Sequence, residues 1–407
     1  MSAPLTVLVA ARDEEDVIAA SVEALRDAFP DAEVVVGDDD GSHDATADRA
    51  EAAGARVVRL PRRGKGQALT LAERTCGAGP LLLCDADLRG DLRPLADVGG
   101  DLAIAAFSRR VGGGLGLAKG VARALIERRG GRRMHEPLSG QRLLSGDARA
   151  SVFPVAAGFG VETRMTIDAL CAGLDVREAR LDLEHRATTR DLAGFVHRGR
   201  QLVDLVLACG PQGRSFRGLR LPLVGSVAAL GAPSVVPVAV IGLVDDLWSG
   251  PERGFRAHLR AGATTGTLKL VAIPLWALWR TRSPSGAVLV ALSANLLNQL
   301  DTRPGRALKA FLLGSLALRG RPRGALVVAV LLAPYDHREM TMLGDAGSNA
   351  FGAVLGLESV RRLTGLRRMS AIAALAAVTL AGDRRSLGAL IESTPILGAF
   401  DALGREP

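Results

Sequence analysis

The hydrophobic positions change their rhythm once along the chain. Over residues 1–209 short apolar runs alternate with amphipathic stretches; over residues 221–407 long uncharged runs take their place. Residues 5–10, 33–37, 56–60 and 80–84 are compact runs of strand length, rich in Val and Leu. Between them, residues 14–29, 44–53 and 66–75 carry helical spacing. Residues 176–185 alternate apolar and polar side chains, as a half-buried strand does, and residues 191–209 read as a helix opened by an Asp cap. Strand and helix in alternation predict an α/β fold around a parallel sheet.

Residues 210–220 (GPQGRSFRGLR) form a Gly/Arg linker, and the pattern shifts behind it. Residues 221–244 hold no charge, which is long enough for a bilayer span of about 20 residues. Pro222, Pro233 and Pro237 would kink such a span. Further uncharged runs cover 283–300, 310–318, 324–335 and 370–382, with Arg-rich joints at 319–323 and 361–368. These predict an α-helical membrane domain over 221–407 with its joints in the cytoplasm. Several runs are short for spans, so buried helices are the competing reading.

Composition narrows the partners. The formal charge is +8 and rests on Arg, since Lys65, Lys119, Lys269 and Lys309 are the only lysines. A basic balance suits anionic lipid or phosphorylated substrates. With aromatics at 3% and no recognisable nucleic-acid module, nucleic acid is set aside. Cys76, Cys84, Cys171 and Cys209 are scattered and form no CxxC pair, which argues against a zinc site or a disulfide framework. The first fifteen residues carry no leader pattern, so the first half is expected in the cytoplasm.

The chemistry lies at strand ends. Asp85-Ala86-Asp87 closes the apolar run LLLCDAD, putting two carboxylates at the carboxyl edge of the sheet, where open α/β sheets bind ligands. Paired carboxylates beside a diphosphate hold Mg²⁺ or Mn²⁺, hard cations that prefer oxygen. A lone DxD is as readily a turn. A second acidic turn, Gly37-Asp38-Asp39-Asp40-Gly41-Ser42, follows another strand, where a carboxylate can accept bonds from a base or ribose. Gly64-Lys65-Gly66 sets a cation and exposed backbone before a helix, which suits a diphosphate.

With VLVAARDEEDVI (7–18), VGDDDGSHDAT (36–46), GKGQAL (64–69) and LLLCDADL (81–88) in this order, the first half resembles glycosyltransferase family 2, with its Rossmann-like GT-A nucleotide-sugar fold. PLSGQR (137–142), GFGVET (158–163) and EHRATTRDL (184–192) extend the likeness. The resemblance implies that Ala10, Arg12, Glu14 and Asp39 line the nucleotide pocket, that Lys65 faces the diphosphate, and that Asp85 binds the donor. It also implies a metal held by Asp85, Asp87 and His185, with Glu162 beside the acceptor as base or as orienting group. Arg12 departs from the aromatic or apolar residue common there, which leaves the donor base open, with a UDP-sugar expected.

Four further carboxylates border apolar runs in the second half: Asp245 and Asp246, Asp301 in QLD, and Asp345 in MLGDAGSNAFG. With TTGTLKL (264–270), these pieces resemble a shortened relative of the polyprenyl-phosphate sugar-phosphate transferases related to MraY and WecA. The resemblance implies that Asp245, Asp246, Lys269, Asn295, Asp301 and Asp345 gather around phosphate and metal, with Arg303 and Arg306 as added cations. Asn298 replaces an expected carboxylate. The expectation is a metal-dependent glycosyltransferase at the cytoplasmic membrane, moving sugar from a nucleotide donor to a lipid-linked or polyprenyl-phosphate acceptor in envelope synthesis. Two alternatives stay open: sugar-1-phosphate transfer by the second half, and a non-catalytic scaffold.

Overall fold

Val7, Leu8 and Val9 are fully buried side by side, so strand β1 (Thr6–Ala11) is covered on both faces. That demands helices above and below, the arrangement of a parallel sheet. The computed structural model describes residues 4–39, 43–60, 64–107, 116–183, 192–248, 265–319, 322–384 and 386–404. The chain divides into two units, Met1–Gly210 and Pro211–Pro407.

The first unit is built on seven strands: β1, β2 (Glu33–Asp39), β3 (Arg56–Leu60), β4 (Leu81–Asp85), β5 (Leu102–Phe107), β6 (Arg142–Leu144) and β7 (Val176–Leu181). They lie in the order β3-β2-β1-β4-β6-β5-β7. All pairings are parallel except those of β6, which runs antiparallel between β4 and β5. Alternate residues serve opposite faces. Leu8, Val35, Leu83 and Ile104 pack in one core with the helices Lys65–Glu73 and Val161–Cys171. Val7, Val9, Val36 and Cys84 pack in the other with the helix Ile18–Ala28. Truncating one such residue, as in Leu8→Ala, removes about 2–5 kcal/mol. The mixed α/β sheet follows the expected alternation. The largest shifts are at two boundaries. The first helix starts at Ile18, because residues 12–17 turn away from the end of β1, and β7 stops at Leu181.

In the second unit the expected span over residues 221–244 is not one element. It divides into a strand Arg220–Pro222, a 3-10 turn Gly225–Val227, a short helix Ala228–Gly231, a second 3-10 turn Pro233–Val235, and the helix Val236–Trp248. Proline causes the breaks, since it offers no N–H to a preceding turn and is favoured where a helix begins. The helix that remains has 13 residues, about 20 Å at 1.5 Å per residue. The later runs form the helices Pro284–Leu300, Arg306–Ala317, Arg323–His337, Gly344–Arg362 and Gly365–Arg384, preceded by Thr265–Thr281. Among the described residues no helix is long and apolar enough to cross a membrane. The membrane-spanning expectation is corrected accordingly: the helical content is present, while the uncharged runs are too short or too often interrupted.

Candidate active site

Three sheet neighbours end together in the first unit. Ala10 on β1 pairs with Gly37 on β2 and with Asp85 on β4, so the carboxyl ends of these strands form one edge. Asp85 is the last residue of β4, and Asp87 follows in the turn. Asp39 closes β2, is buried, and accepts the Gly64 N–H at 3.3 Å. This bond ties the second acidic turn to the loop before Lys65. Gly64 has φ +77, a backbone state that favours glycine.

Lys65 begins the helix Lys65–Glu73 and reaches across the edge. Its Nζ lies 2.7 Å from Asp85 Oδ1 and 2.6 Å from Glu162 Oε1. Burial pulls its pKa down, but the charges of Asp85 and Glu162 outweigh this and raise it, so the ammonium is permanently charged. Glu162 lies in the first turn of the helix Val161–Cys171, where the helix dipole favours a carboxylate, and it is buried. Gly66 makes the approach possible. A Cβ there would lie 1.9 Å from the carbonyl oxygen of Ala156, just ahead of that helix.

Behind Asp85 stands the segment Gly140-Gln141-Arg142. A Cβ on Gly140 would fall 2.2 Å from Asp85 Oδ2, so the carboxylate rests against bare backbone. Gln141 Nε2 donates to Asp85 Oδ2 at 3.3 Å, and its Oε1 accepts the Asp85 N–H at 3.4 Å. Arg142 is fully buried and donates to the carbonyls of Ser139 and Pro137 and to Thr166 Oγ1. Burial lowers its pKa to about 10 against the opposing charges of Glu162, Glu178 and Asp85, so it too remains charged at neutral pH. A small cleft opens among Ala10, Lys65, Asp85, Gly140, Arg142 and Glu162.

The cleft therefore gathers Ala10, Lys65, Asp85 and Glu162 from the sequence-derived set. Arg12 is exposed and pairs with Asp13 at 3.6 Å, and the backbone N–H of Glu14 donates to Thr46 Oγ1 at 2.8 Å. His185 lies outside the described residues. Gln141 and Arg142 had no role in the sequence reading; the signal was PLSGQR, whose Gly and polar neighbours meet Asp85 only after β6 inserts beside β4. The donor set suits a hard divalent cation. Asp85 closes β4 and Asp87 follows two residues on in the turn, both of them oxygen donors. The Lys65 ammonium already sits as a cation between two of the carboxylates. Among the described residues no three His, Cys, Asp or Glu side chains converge on one point.

The second unit holds another cluster. Lys269 Nζ lies 2.8 Å from Asp245 Oδ2 and also pairs with Asp345. Asp246 accepts the N–H groups of Asp345 and Ala346 at 2.8 and 2.9 Å. Asp301 is pushed well above the usual carboxylate range by burial and by Asp336, Asp345 and Asp246. The amide that reaches Asp345 belongs to Asn298, three residues after Asn295 on the same helix. Arg306 is likewise committed elsewhere: it is buried and bonds Asp401 in two places, at 3.0 and 2.7 Å.

The profile of the Glycosyl transferase family 2 matches residues 6–90. The glucosyl-3-phosphoglycerate synthase of Mycolicibacterium paratuberculosis (strain ATCC BAA-968 / K-10) is 33% identical over 243 residues, covering 51% of this chain and 72% of the relative. Among solved structures, a mycobacterial protein is 31% identical over 51% of this chain and 74% of its own, with a TM-score of 0.42. The glucosyl-3-phosphoglycerate synthase from Mycobacterium tuberculosis, in complex with Mg²⁺ and uridine diphosphate, is 26% identical over 50% and 77%, also at 0.42.

Proposed function

The chain belongs to glycosyltransferase family 2, and from that premise we propose that its first unit moves a glycosyl group from a UDP-sugar to a hydroxyl of a phosphorylated acceptor, with Mg²⁺ or Mn²⁺. The observation that carries this reading is Lys65, held between the strand-end Asp85 and the helix-borne Glu162 at the ligand-binding edge of the sheet. Asp85 and Asp87 would hold the metal, which when bound offsets charge on the departing diphosphate. Lys65 supplies a second positive charge to that diphosphate once it releases Asp85. Its departure also frees Glu162, which then accepts a hydrogen bond from the acceptor hydroxyl and orients it or takes its proton. Asp39 and Ala10 flank the nucleotide.

The relative's own name gives phosphoglycerate as its acceptor, a small soluble acid. This takes precedence over the lipid-linked acceptor expected from the sequence, and it suits the basic balance of the chain. A test is direct. Purified protein with Mn²⁺ is offered a panel of nucleotide sugars against phosphoglycerate and, separately, polyprenyl phosphate. Release of UDP with phosphoglycerate is expected. Release of UDP only with the lipid would restore the lipid-acceptor reading, and release of no nucleotide in any combination would overturn transfer altogether.

A second reading concerns the second unit, and the pairing of Lys269 with Asp245 and Asp345, beside Asp246 on the Asp345 backbone, favours it. Such a cluster offers the Lys269 ammonium to a phosphate, with Asp301 and Asn298 at its border. Release of nucleoside monophosphate, lost in Asp246→Asn, would be its signature.

A further inference from the structure

A helix on the surface of a water-soluble protein turns its polar stripe outward and its apolar stripe inward. Several helices of the second unit do the reverse. On the helix Thr265–Thr281 the exposed residues are Leu268, Val271, Leu275, Leu278 and Trp279, followed by Arg280. Their spacing of three, four, three and one puts them on one stripe. Lys269 on the same helix points the other way, into its pair of carboxylates.

The helix Arg323–His337 repeats the pattern. Val327, Val330, Leu331 and Tyr335 face out, while Asp336 is 1% exposed and accepts the Gly305 N–H at 2.7 Å. In the helix Val236–Trp248, Val240, Leu247 and Trp248 are exposed and Asp245 is buried. In Arg306–Ala317, Leu313 and Leu316 are exposed while Arg306 is buried. Charge lies inside and hydrocarbon outside.

We infer that the second unit seats in the interfacial layer of an anionic lipid bilayer, with these apolar stripes in the acyl boundary. A single protein partner is a poorer match: a standard interface covers about 800 Å² per side, and the stripes lie on at least four helices. The ends of the stripes match a lipid headgroup layer. Trp248, Trp279 and Tyr335, which are 68%, 73% and 53% exposed, stand at the carboxyl-terminal turns of their helices. Amphipathic rings of this kind settle at the boundary between hydrocarbon and water. Arg280 and Arg282 are exposed just beyond Trp279, where guanidinium groups attract anionic headgroups. Seating of this kind needs no spanning helix. An amphipathic helix lies in the boundary with its apolar face buried roughly 5–10 Å.

The three tryptophans of the chain, Trp248, Trp276 and Trp279, all lie in the second unit, so intrinsic fluorescence reports on it alone. The full-length protein is mixed with vesicles of phosphatidylcholine, or of phosphatidylcholine with about one-third phosphatidylglycerol, each with or without brominated acyl chains. Expected are flotation with both vesicles, stronger with the anionic ones at low salt, and quenching of tryptophan by bromine. The double variant Leu275→Glu/Val271→Glu keeps Trp279 as reporter and changes only exposed positions, so its far-ultraviolet circular dichroism should be unchanged while flotation falls at least tenfold. Arg280→Glu/Arg282→Glu should erase the anionic preference and leave the binding to neutral vesicles. Protein that neither floats nor is quenched overturns the inference. So does a stable homodimer in detergent-free buffer that shields Trp279 from a soluble quencher and ignores both vesicles. Neither measurement depends on sugar transfer, so failure here leaves the proposed reaction standing.

Discussion

Two lysines hold the same local pose in two different surroundings. Lys65 bridges Asp85 and Glu162 in the first unit, and Lys269 bridges Asp245 and Asp345 in the second. Around Lys65 the carboxylates come from a strand end and a helix start, at an edge open to a cleft. Around Lys269 they come from two helices of a bundle. The outer surfaces diverge further. Among the described residues the first unit exposes five large apolar side chains, Leu117, Leu138, Phe159, Val203 and Val206, whereas the single helix Thr265–Thr281 exposes as many. An ammonium between two carboxylates is therefore not by itself a sign of one function. In the first unit it lines a small cleft; in the second it lies among helices whose exposed faces carry large apolar side chains.

The sharpest break of this comparison is loss of chemistry in the first unit alone. Asp87→Ala should lower UDP release by roughly 10³-fold or more, since the charge that metal offsets on the leaving diphosphate is worth several kcal/mol. EDTA should do the same to the unaltered protein, and added Mn²⁺ should restore it. Full turnover in EDTA would remove the metal from the mechanism. Tryptophan fluorescence, confined to the second unit, should stay unchanged in the variant.

Next in size is a stability effect in the second unit. Arg306 and Asp401 are both nearly inaccessible and joined by two bonds, and Arg306 also reaches Glu392 at 3.0 Å. Asp401→Asn leaves the guanidinium short of a charge, and breaking such a buried pair costs about 3–5 kcal/mol. Urea denaturation followed by tryptophan fluorescence should show it. The exposed pair Arg59–Asp48 of the first unit, at 3.2 Å, is the counterpart: Arg59→Ala, followed by far-ultraviolet circular dichroism because the tryptophans all lie in the second unit, should move stability by less than about 0.5 kcal/mol. Equal costs for the two would undo the contrast between a charged interior and a charged surface.

Lys65→Met should lower kcat by about 10–10² while changing KM for the donor less, because its charge is used on the leaving group. A pure rise in KM would recast Lys65 as a binding residue only. Glu162→Gln should depress kcat in the same way, and the double variant should fall short of the product of the two losses, because the side chains are in contact.

How far the sequence reached can be judged on these same residues. The strands and the helix after Lys65 were legible because apolar runs punctuated by glycine and charge leave few alternatives. Lys65 and Asp85 could be placed because one opens a helix behind a glycine and the other closes an apolar strand. Gln141 and Arg142 were not, since β6 is only three residues long and enters the sheet antiparallel, against the alternation around it. The second half misled for another reason. Hydropathy measures how apolar a run is and is blind to which way its stripe faces, so helices with hydrocarbon outward and charge inward were taken for spans. The turns imposed by Pro222 and Pro233 were visible as residues, but their consequence, a run divided into five short elements, depended on packing.

The smallest expected effect tests the part of the site that patterning missed. Gln141 is 1% exposed and grips Asp85 twice, through its side-chain nitrogen to Oδ2 and its oxygen to the Asp85 N–H. Gly140 lets that carboxylate lie against the backbone. Together they fix which way Asp85 presents its oxygens, yet neither contributes a charge. Gln141→Leu keeps the volume and removes the grip, so Asp85 gains rotamers that a cation must then freeze out. Loss of a partner that orients a ligating carboxylate costs 10–100-fold in metal affinity, and for two bonds at 3.3 and 3.4 Å the low end is expected, about tenfold. The measurement is the Mn²⁺ concentration at half-maximal UDP release. It should rise about tenfold in the variant, with kcat recovering most of its value at saturating metal. Gln141→Asn is too short to hold both bonds and should behave like Leu, whereas a variant with an unchanged Mn²⁺ requirement and a lower kcat would show that Gln141 steadies β6 rather than aiming Asp85.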